Sequence, residues 1–563
     1  MKQSATITIA LLTLAFLGLF LVWPLVQALK GCFFHEGRLS LAFLLEVFQN
    51  PIYLEGLWNS LALAVAATGL VILMALPLAV LAARFDFRGK TLLSGLILAP
   101  MILPPFVGAI GIQQLLGQYG VLNAILVKSH LLQWEQAINW LAYGRFWAIA
   151  VTEALHLYPI FYLNALAAIA NLDPALEEAA QNMGCTGWRR FWRITLPLIS
   201  PGLFAGGIIV FIWSFTELGT PLMFDYGRVT AVQIYDGIKD IGSSPFPYAL
   251  VIILLFVTTS LYLGGKWFLG RTSYAMAAKA GIATAPIRLR GFKAGLAAAA
   301  FGGVFLIATT PHLGVVLTSV SRAWYRSLLP TLWTGAHYLQ ALGHNLTLPS
   351  IQNSLRYASL AMVVDLFWGM VIAYVIVRGT LRWRGMLDAL AMLPLAVPGI
   401  IVAFGYIAMS QPGRWLSFLN PTANPAPLLI IAYAIRRLPY VVRSAVAGSQ
   451  QTSVTLEEAA QNLGCPPWRT ILRISLPLIS ANLIAGGLLA FSFAMLEVSD
   501  SLMLAQKQAY FPITKALYEL FQLLGEGRFV AAALGVWAMT FLLITILAAN
   551  YLLGKRLGAV FRI

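Results

Sequence analysis

Apolar residues in this chain gather into long runs separated by short polar stretches. The runs fall at about residues 5–29, 58–83, 92–116, 146–170, 201–224, 247–269, 294–319, 352–377, 387–409, 427–449, 481–504 and 529–553. Each is long enough for a helix to cross the roughly 30 Å hydrocarbon core of a bilayer. The pattern predicts an all-α membrane protein of about 12 transmembrane helices. The first run is too long for a secretory h-region and lacks a clear small-residue cleavage site, so it is expected to be a retained span.

Polar positions give the orientation. Of 563 residues only 10% are charged, against about 25% in a soluble domain. The net charge of +16 is dispersed in short loops between spans. Arg84, Arg88, Lys90, Arg189, Arg190 and Arg193 fall on the side containing Lys2, as do Arg271, Lys279, Arg288, Arg290, Lys293, Arg378, Arg382, Arg384, Arg469, Arg473, Lys555, Arg556 and Arg562. The positive-inside rule then predicts a multi-pass membrane protein with both termini cytoplasmic. A nucleic-acid partner would call for a contiguous basic face, which this dispersal does not provide. The three cysteines, Cys32, Cys185 and Cys465, have no metal-ligand spacing and read as small buried thiols.

The chain repeats itself. Residues 176–203 read LEEAAQNMGCTGWRRFWRITLPLISPGL and residues 456–483 read LEEAAQNLGCPPWRTILRISLPLISANL, with nineteen of 28 positions identical at an offset of 280. Earlier the offset is 294: Asn59-Ser60-Leu61 matches Asn353-Ser354-Leu355, and Pro100 and Pro104 match Pro394 and Pro398. The length change therefore falls between the third and fourth spans of each half, in an outer loop. Both halves enter the membrane the same way up, which makes two parallel six-helix repeats. The expected organisation is a first half at 1–270, a basic cytoplasmic linker at 271–292 and a second half at 293–563.

The repeated loops, 171–200 and 451–480, carry cap signals. Asp173-Pro174 reads as an N-cap followed by proline at the first helical position, and Ser453 holds the equivalent cap. A short helix through Glu178-Ala179-Ala180 should stop at Gly184, with a second short helix from Trp188 to about Ile194 carrying Arg189. The other copy offers Glu458-Ala459-Ala460, Gly464 and Arg469.

The pattern E-A-A-x3-G-x9-I-x-L-P, at Glu178–Pro197 and again at Glu458–Pro477, resembles the EAA signature of binding-protein-dependent ABC importer permeases. The resemblance covers essentially the whole chain and implies the type I ABC importer permease fold, as two fused copies. It further implies that Glu178, Ala179, Ala180, Gly184, Arg189, Glu458, Ala459, Ala460, Gly464 and Arg469 belong to coupling helices that dock on a cytoplasmic ABC ATPase dimer. A periplasmic solute-binding protein would be the other partner. No G-x-x-x-x-G-K-[ST] occurs, so ATP and Mg would sit on the partner. No catalytic residues, bound cofactor or metal ligands are expected in this chain.

Charges inside spans are costly and point to function or to pairing. Glu217 and Glu497 coincide at offset 280, and Asp500 follows one turn later. Arg436 and Arg437 stand where the first half has His156 and Leu157. These five residues are candidates for the substrate pathway, although hydrogen bonding at helix ends, or pairing with Asp365 or Glu497, would account for them equally. Fused permeases with R-R-L-P-Y in the second half resemble the ferric-iron group, which implies an iron importer. Thiamine, 2-aminoethylphosphonate, polyamine and sulfate permeases are the alternatives within the class. An ion-coupled secondary transporter or a membrane scaffold would not need two near-identical cytoplasmic loops.

Overall fold

The computed structural model describes residues 3–35, 38–101, 104–241, 244–270 and 287–553. Residues 271–286 of the expected linker lie outside these, as do Lys2, Arg271, Lys279, Lys555, Arg556 and Arg562. Among the described residues ten helices are long and apolar enough to cross a membrane, from Ile7–Phe33 to Gly527–Ala548. A bent pair, Arg384–Ala396 with Gly399–Met409, makes an eleventh span. The run at 427–449 lies in the helix Ala426–Gln451, which is long enough to cross but carries Arg436, Arg437 and Arg443. Every expected run meets a helix, but several are not single rods.

Prolines account for two of the breaks. The third run divides into Lys90–Leu96, a 3-10 turn at Ala99–Met101 and Pro105–Leu116, with Pro100 and Pro104 in the interruption. The ninth bends by 102° where Pro398 separates its two helices. Proline has no N–H to close a turn, and a carbonyl freed inside lipid needs another donor. The neighbouring helix Trp140–Ala170 supplies side chains there: His156 Nδ1 lies 3.0 Å from Pro100 O, and the Tyr158 hydroxyl donates to Ile97 O at 2.6 Å.

The two halves interlock through their first spans. Ile7–Phe33 packs on the second half, where the Tyr406 hydroxyl donates to Phe20 O at 2.6 Å. A Cβ on Gly405 would come within 2.6 Å of Pro24 O. In the mirror arrangement, the seventh span Gly291–Ser319 crosses Pro105–Leu116, and a Cβ on Gly111 would come within 1.8 Å of Pro311 O. Gly111 and Gly405 are 294 residues apart, so both crossings use the same position of the repeat. Small residues at such crossings let backbones approach closely in membranes.

At the end away from the repeated loops, the repeat shows again in hydrogen bonds. Ser60 Oγ accepts from Thr230 N, and Ser354 Oγ accepts from Ile513 N, each at 2.8 Å. The length change between halves is visible as a helix, Val121–Lys128, carried by the longer first-half loop.

Candidate functional site: two surface loops and two helix breaks

Each repeated loop is a capped helical hairpin. Pro174–Asn182 begins with the Asp173 carboxylate accepting from Ala175 N at 2.9 Å, and Val454–Asn462 begins with Ser453 Oγ accepting from Thr455 N at 3.3 Å. Both helices end at a glycine in the left-handed region, Gly184 at φ +81° and Gly464 at φ +86°, where a side chain would strain the backbone. The expected second short helix is corrected. From Gly187 the chain forms one continuous helix to Phe215, and from Pro467 one to Met495. A π-helical turn at Phe191–Thr195, and at Ile471–Ser475, precedes Pro197 and Pro477 and accommodates the N–H each proline lacks.

The tips are exposed. Glu178, Ala179, Gly184 and Arg189 face solvent, as do Glu458, Ala459, Gly464 and Arg469. Ala180 is buried and Ala460 half-buried, so these two pack inward rather than present a surface. Apolar side chains crown both tips: Met183 is 87% exposed and Trp188 73%, against 89% for Leu463 and 58% for Trp468. Exposed apolar side chains thus stand beside exposed charged ones on both tips.

The first glutamate of each E-E pair turns the other way. Glu177 accepts from Arg84 and, at 2.5 Å, from the Thr195 hydroxyl. Glu457 accepts from Arg378 Nε and Nη2, both at 3.3 Å, and from the Ser475 hydroxyl at 3.0 Å.

Within the membrane-spanning region the fifth and eleventh runs are interrupted at the same repeat position. Leu196–Phe215 gives way to Gly219–Met223, and Leu476–Met495 to Ser499–Leu504. Glu217 and Glu497 stand in the two gaps. Glu217 Oε1 accepts from Gly219 N at 3.1 Å and Thr220 N at 3.2 Å. Glu497 is bound by Arg436 Nη1 at 2.5 Å and by Arg437, and Arg436 Nη1 also lies 3.6 Å from Asp500 Oδ2. The gaps meet between the halves, since a Cβ on Gly219 would come within 2.7 Å of the Val498 side chain and 3.0 Å of Phe106. The geometry brings all five intramembrane candidates together where the two gaps meet.

Two further carboxylates lie beside this cluster, Glu153 near Glu217 and Asp365 near Arg437. Glu153 is buried and accepts from the Ser214 hydroxyl. Asp365 is also buried, with Arg437 as its charged neighbour. Glu153 was missed from the sequence, although a carboxylate inside the run 146–170 was itself the signal. Among the described residues no group of three or more His, Cys, Asp or Glu is placed to hold a metal ion.

Two stretches, 75–274 and 365–558, match the profile of the binding-protein-dependent transport system inner membrane component. Together they span well over half the chain. The chain belongs to this family. It is similar over 511 residues, at 28% identity, to a protein of Haemophilus influenzae named as a ferric transport system permease; the match covers 85% of this chain and 75% of that one. A ferric transport system permease of Actinobacillus pleuropneumoniae is 27% identical over 518 residues, covering 85% and 69%. The molybdenum transport system permease of Haemophilus influenzae is 35% identical over 170 residues, 29% of this chain and 69% of its own. Membership makes the protein a multi-pass inner membrane transport subunit with two copies of the permease unit. Each copy carries one capped loop, and its third and fifth spans are interrupted.

Proposed function

We propose that this permease carries ferric iron inward across the inner membrane, with ATP hydrolysed by a separate pair of ABC subunits on the cytoplasmic side. The observation that carries the reading is the pair of equivalent loops with exposed, apolar-crowned tips, in a chain that resembles ferric permeases along most of its length. Glu178, Arg189 and Trp188 in one loop, with Glu458, Arg469 and Trp468 in the other, form the two ATPase contacts, and Gly184 and Gly464 allow the turn between loop and span. Both termini then lie in the cytoplasm. A periplasmic binding protein delivers cargo to the opposite end.

Closing of the ATPase pair draws the loops together, and the two halves, each a rigid helical body, rock about the meeting of the helix breaks. Cargo passes the level of Glu217, Glu497, Asp500, Arg436 and Arg437. The carboxylates attract a cation, and the arginines keep the site from being a chelate that would not let go.

Uptake of radiolabelled ferric iron into vesicles holding the permease, its ATPase and its binding protein tests this directly, with molybdate and thiamine as competitors. Iron uptake that requires ATP and is lost in Glu217→Gln is the expected result. ATP-dependent uptake of molybdate or thiamine with no iron uptake would refute the cargo while keeping the transporter.

A further inference from the structure

The charged contacts of Glu177 and Glu457 are the same device built twice. In both halves a carboxylate from the loop helix meets an arginine at the last residue of a long span and a hydroxyl from the π-helical turn that starts the next span. The long spans are Pro51–Arg84 and Thr347–Arg378, and their arginines, Arg84 and Arg378, lie 294 residues apart. The hydroxyls, Thr195 and Ser475, are 280 apart. The pairs are sheltered, with side chains 21% and 20% exposed in the first half and 13% and 10% in the second. Glu178 and Glu458, one residue on, face solvent.

The chain already joins each loop helix to the span before it and the span after it. The ion pair adds a third helix, remote in sequence, its partners 93 residues apart in the first half and 79 in the second. We propose that Arg84–Glu177 and Arg378–Glu457 are latches: positioning pairs that make the long helices Pro51–Arg84 and Thr347–Arg378 follow the coupling loops, so that movement of the ATPase reaches the whole half. The inference rests on the reading that the loops dock the ATPase, and deepens it by dividing labour between adjacent glutamates. The outward one meets the partner, and the inward one grips the permease.

The two latches are not identical in their surroundings. Beyond Arg84 the chain pairs Phe85–Asp86 in parallel with Ile287–Arg288, and Leu289 N donates to Asp86 O at 2.8 Å. That pairing leads directly into Gly291–Ser319, so the first latch also holds the helix that crosses between halves. The second latch instead takes an extra hydrogen bond from Arg378 Nη2 to Thr452 O at 3.0 Å, just before the cap of its own loop. Loss of the first latch is therefore expected to disturb both halves, and loss of the second mainly one.

The test uses the full complex of permease, ATPase and binding protein in proteoliposomes, measuring ATPase retention, ATP hydrolysis and iron uptake together. In the Glu177→Gln, Glu457→Gln double variant, the ATPase should stay bound while iron taken up per ATP falls about tenfold, within the usual range of coupling between sites. Exchanging the charges in both halves, Arg84→Glu with Glu177→Arg and Arg378→Glu with Glu457→Arg, should restore the ratio. Unchanged uptake per ATP in the double Gln variant overturns the latch. So does an exchange that recovers thermal stability in detergent but not the ratio, because that marks a staple with no part in transmission. Loss of bound ATPase in the double Gln variant overturns it too, placing these carboxylates at the docking face. Retention of the ATPase by Glu178→Lys with Glu458→Lys would instead defeat the docking reading, an outcome read separately from the latch.

Discussion

Replacing Gly399 with alanine adds one methyl group, and the structure says where it lands. An ideal Cβ at this position would sit 1.7 Å from Arg436 Nη1, the atom that binds Glu497 at 2.5 Å and lies 3.6 Å from Asp500. The guanidinium has to leave. Glu497 keeps Arg437, so the roughly 3–5 kcal/mol penalty for stranding a buried charge is not incurred in full. What is lost is one charge-assisted hydrogen bond, worth about 1.5–3 kcal/mol. Gly399→Ala should therefore destabilise the protein by about 2 kcal/mol, read as a shift in unfolding midpoint in mixed micelles. The decisive measurement is the same substitution in an Arg436→Gln background, where there is no guanidinium to displace and the cost should fall below about 0.5 kcal/mol. An equal cost in both backgrounds would refute the reasoning and place the strain in the bend at Pro398.

Three other outcomes follow from the same geometry. Gly111→Val and Gly405→Val each force a side chain into the backbone of the crossing first span, and should cost at least about 1–3 kcal/mol, seen as loss of a monodisperse peak on size-exclusion chromatography. Glu497→Ala leaves Arg436 and Arg437 facing each other without a shared carboxylate and should cost about 3–5 kcal/mol in the same unfolding assay, with Glu497→Gln costing less. Trp188→Ala with Trp468→Ala removes exposed side chains, so stability should stay within about 0.5 kcal/mol while co-purification of the ATPase weakens. A stability loss as large as that of Glu497→Ala would show these tryptophans to be core residues.

The parts legible in the sequence were those written in local chemistry. Span positions follow from apolar run length, because lipid tolerates no other reading of such runs. The loop caps at Asp173 and Ser453 and the turns at Gly184 and Gly464 depend on residues within three or four positions. The helix from Gly187 to Phe215 was misread as two because proline usually ends a helix, and a π-helical turn is a local escape that leaves no mark in composition. The inward turn of Glu177 was not legible at all. Nothing in Glu177-Glu178 distinguishes the two carboxylates; the distinction comes from Arg84, 93 residues earlier, and from the rotation of the loop helix against its span.

The same limit explains why the arginines of the second half could be found but not interpreted. Repeat alignment places Arg436 against His156 and Gly399 against Pro105 as two unrelated differences. In the folded chain they are one difference, since the guanidinium occupies the space that only a glycine leaves open. In the first half the corresponding side chain, His156, reaches back to the Pro100 carbonyl instead. The first half thus uses this position to satisfy a broken helix, and the second uses it to put charge at the helix gap. Fusion of the halves into one chain lets such paired substitutions arise on one side alone. The charge asymmetry at the meeting of the two gaps is a consequence, and it cannot be produced by two copies of a single permease subunit.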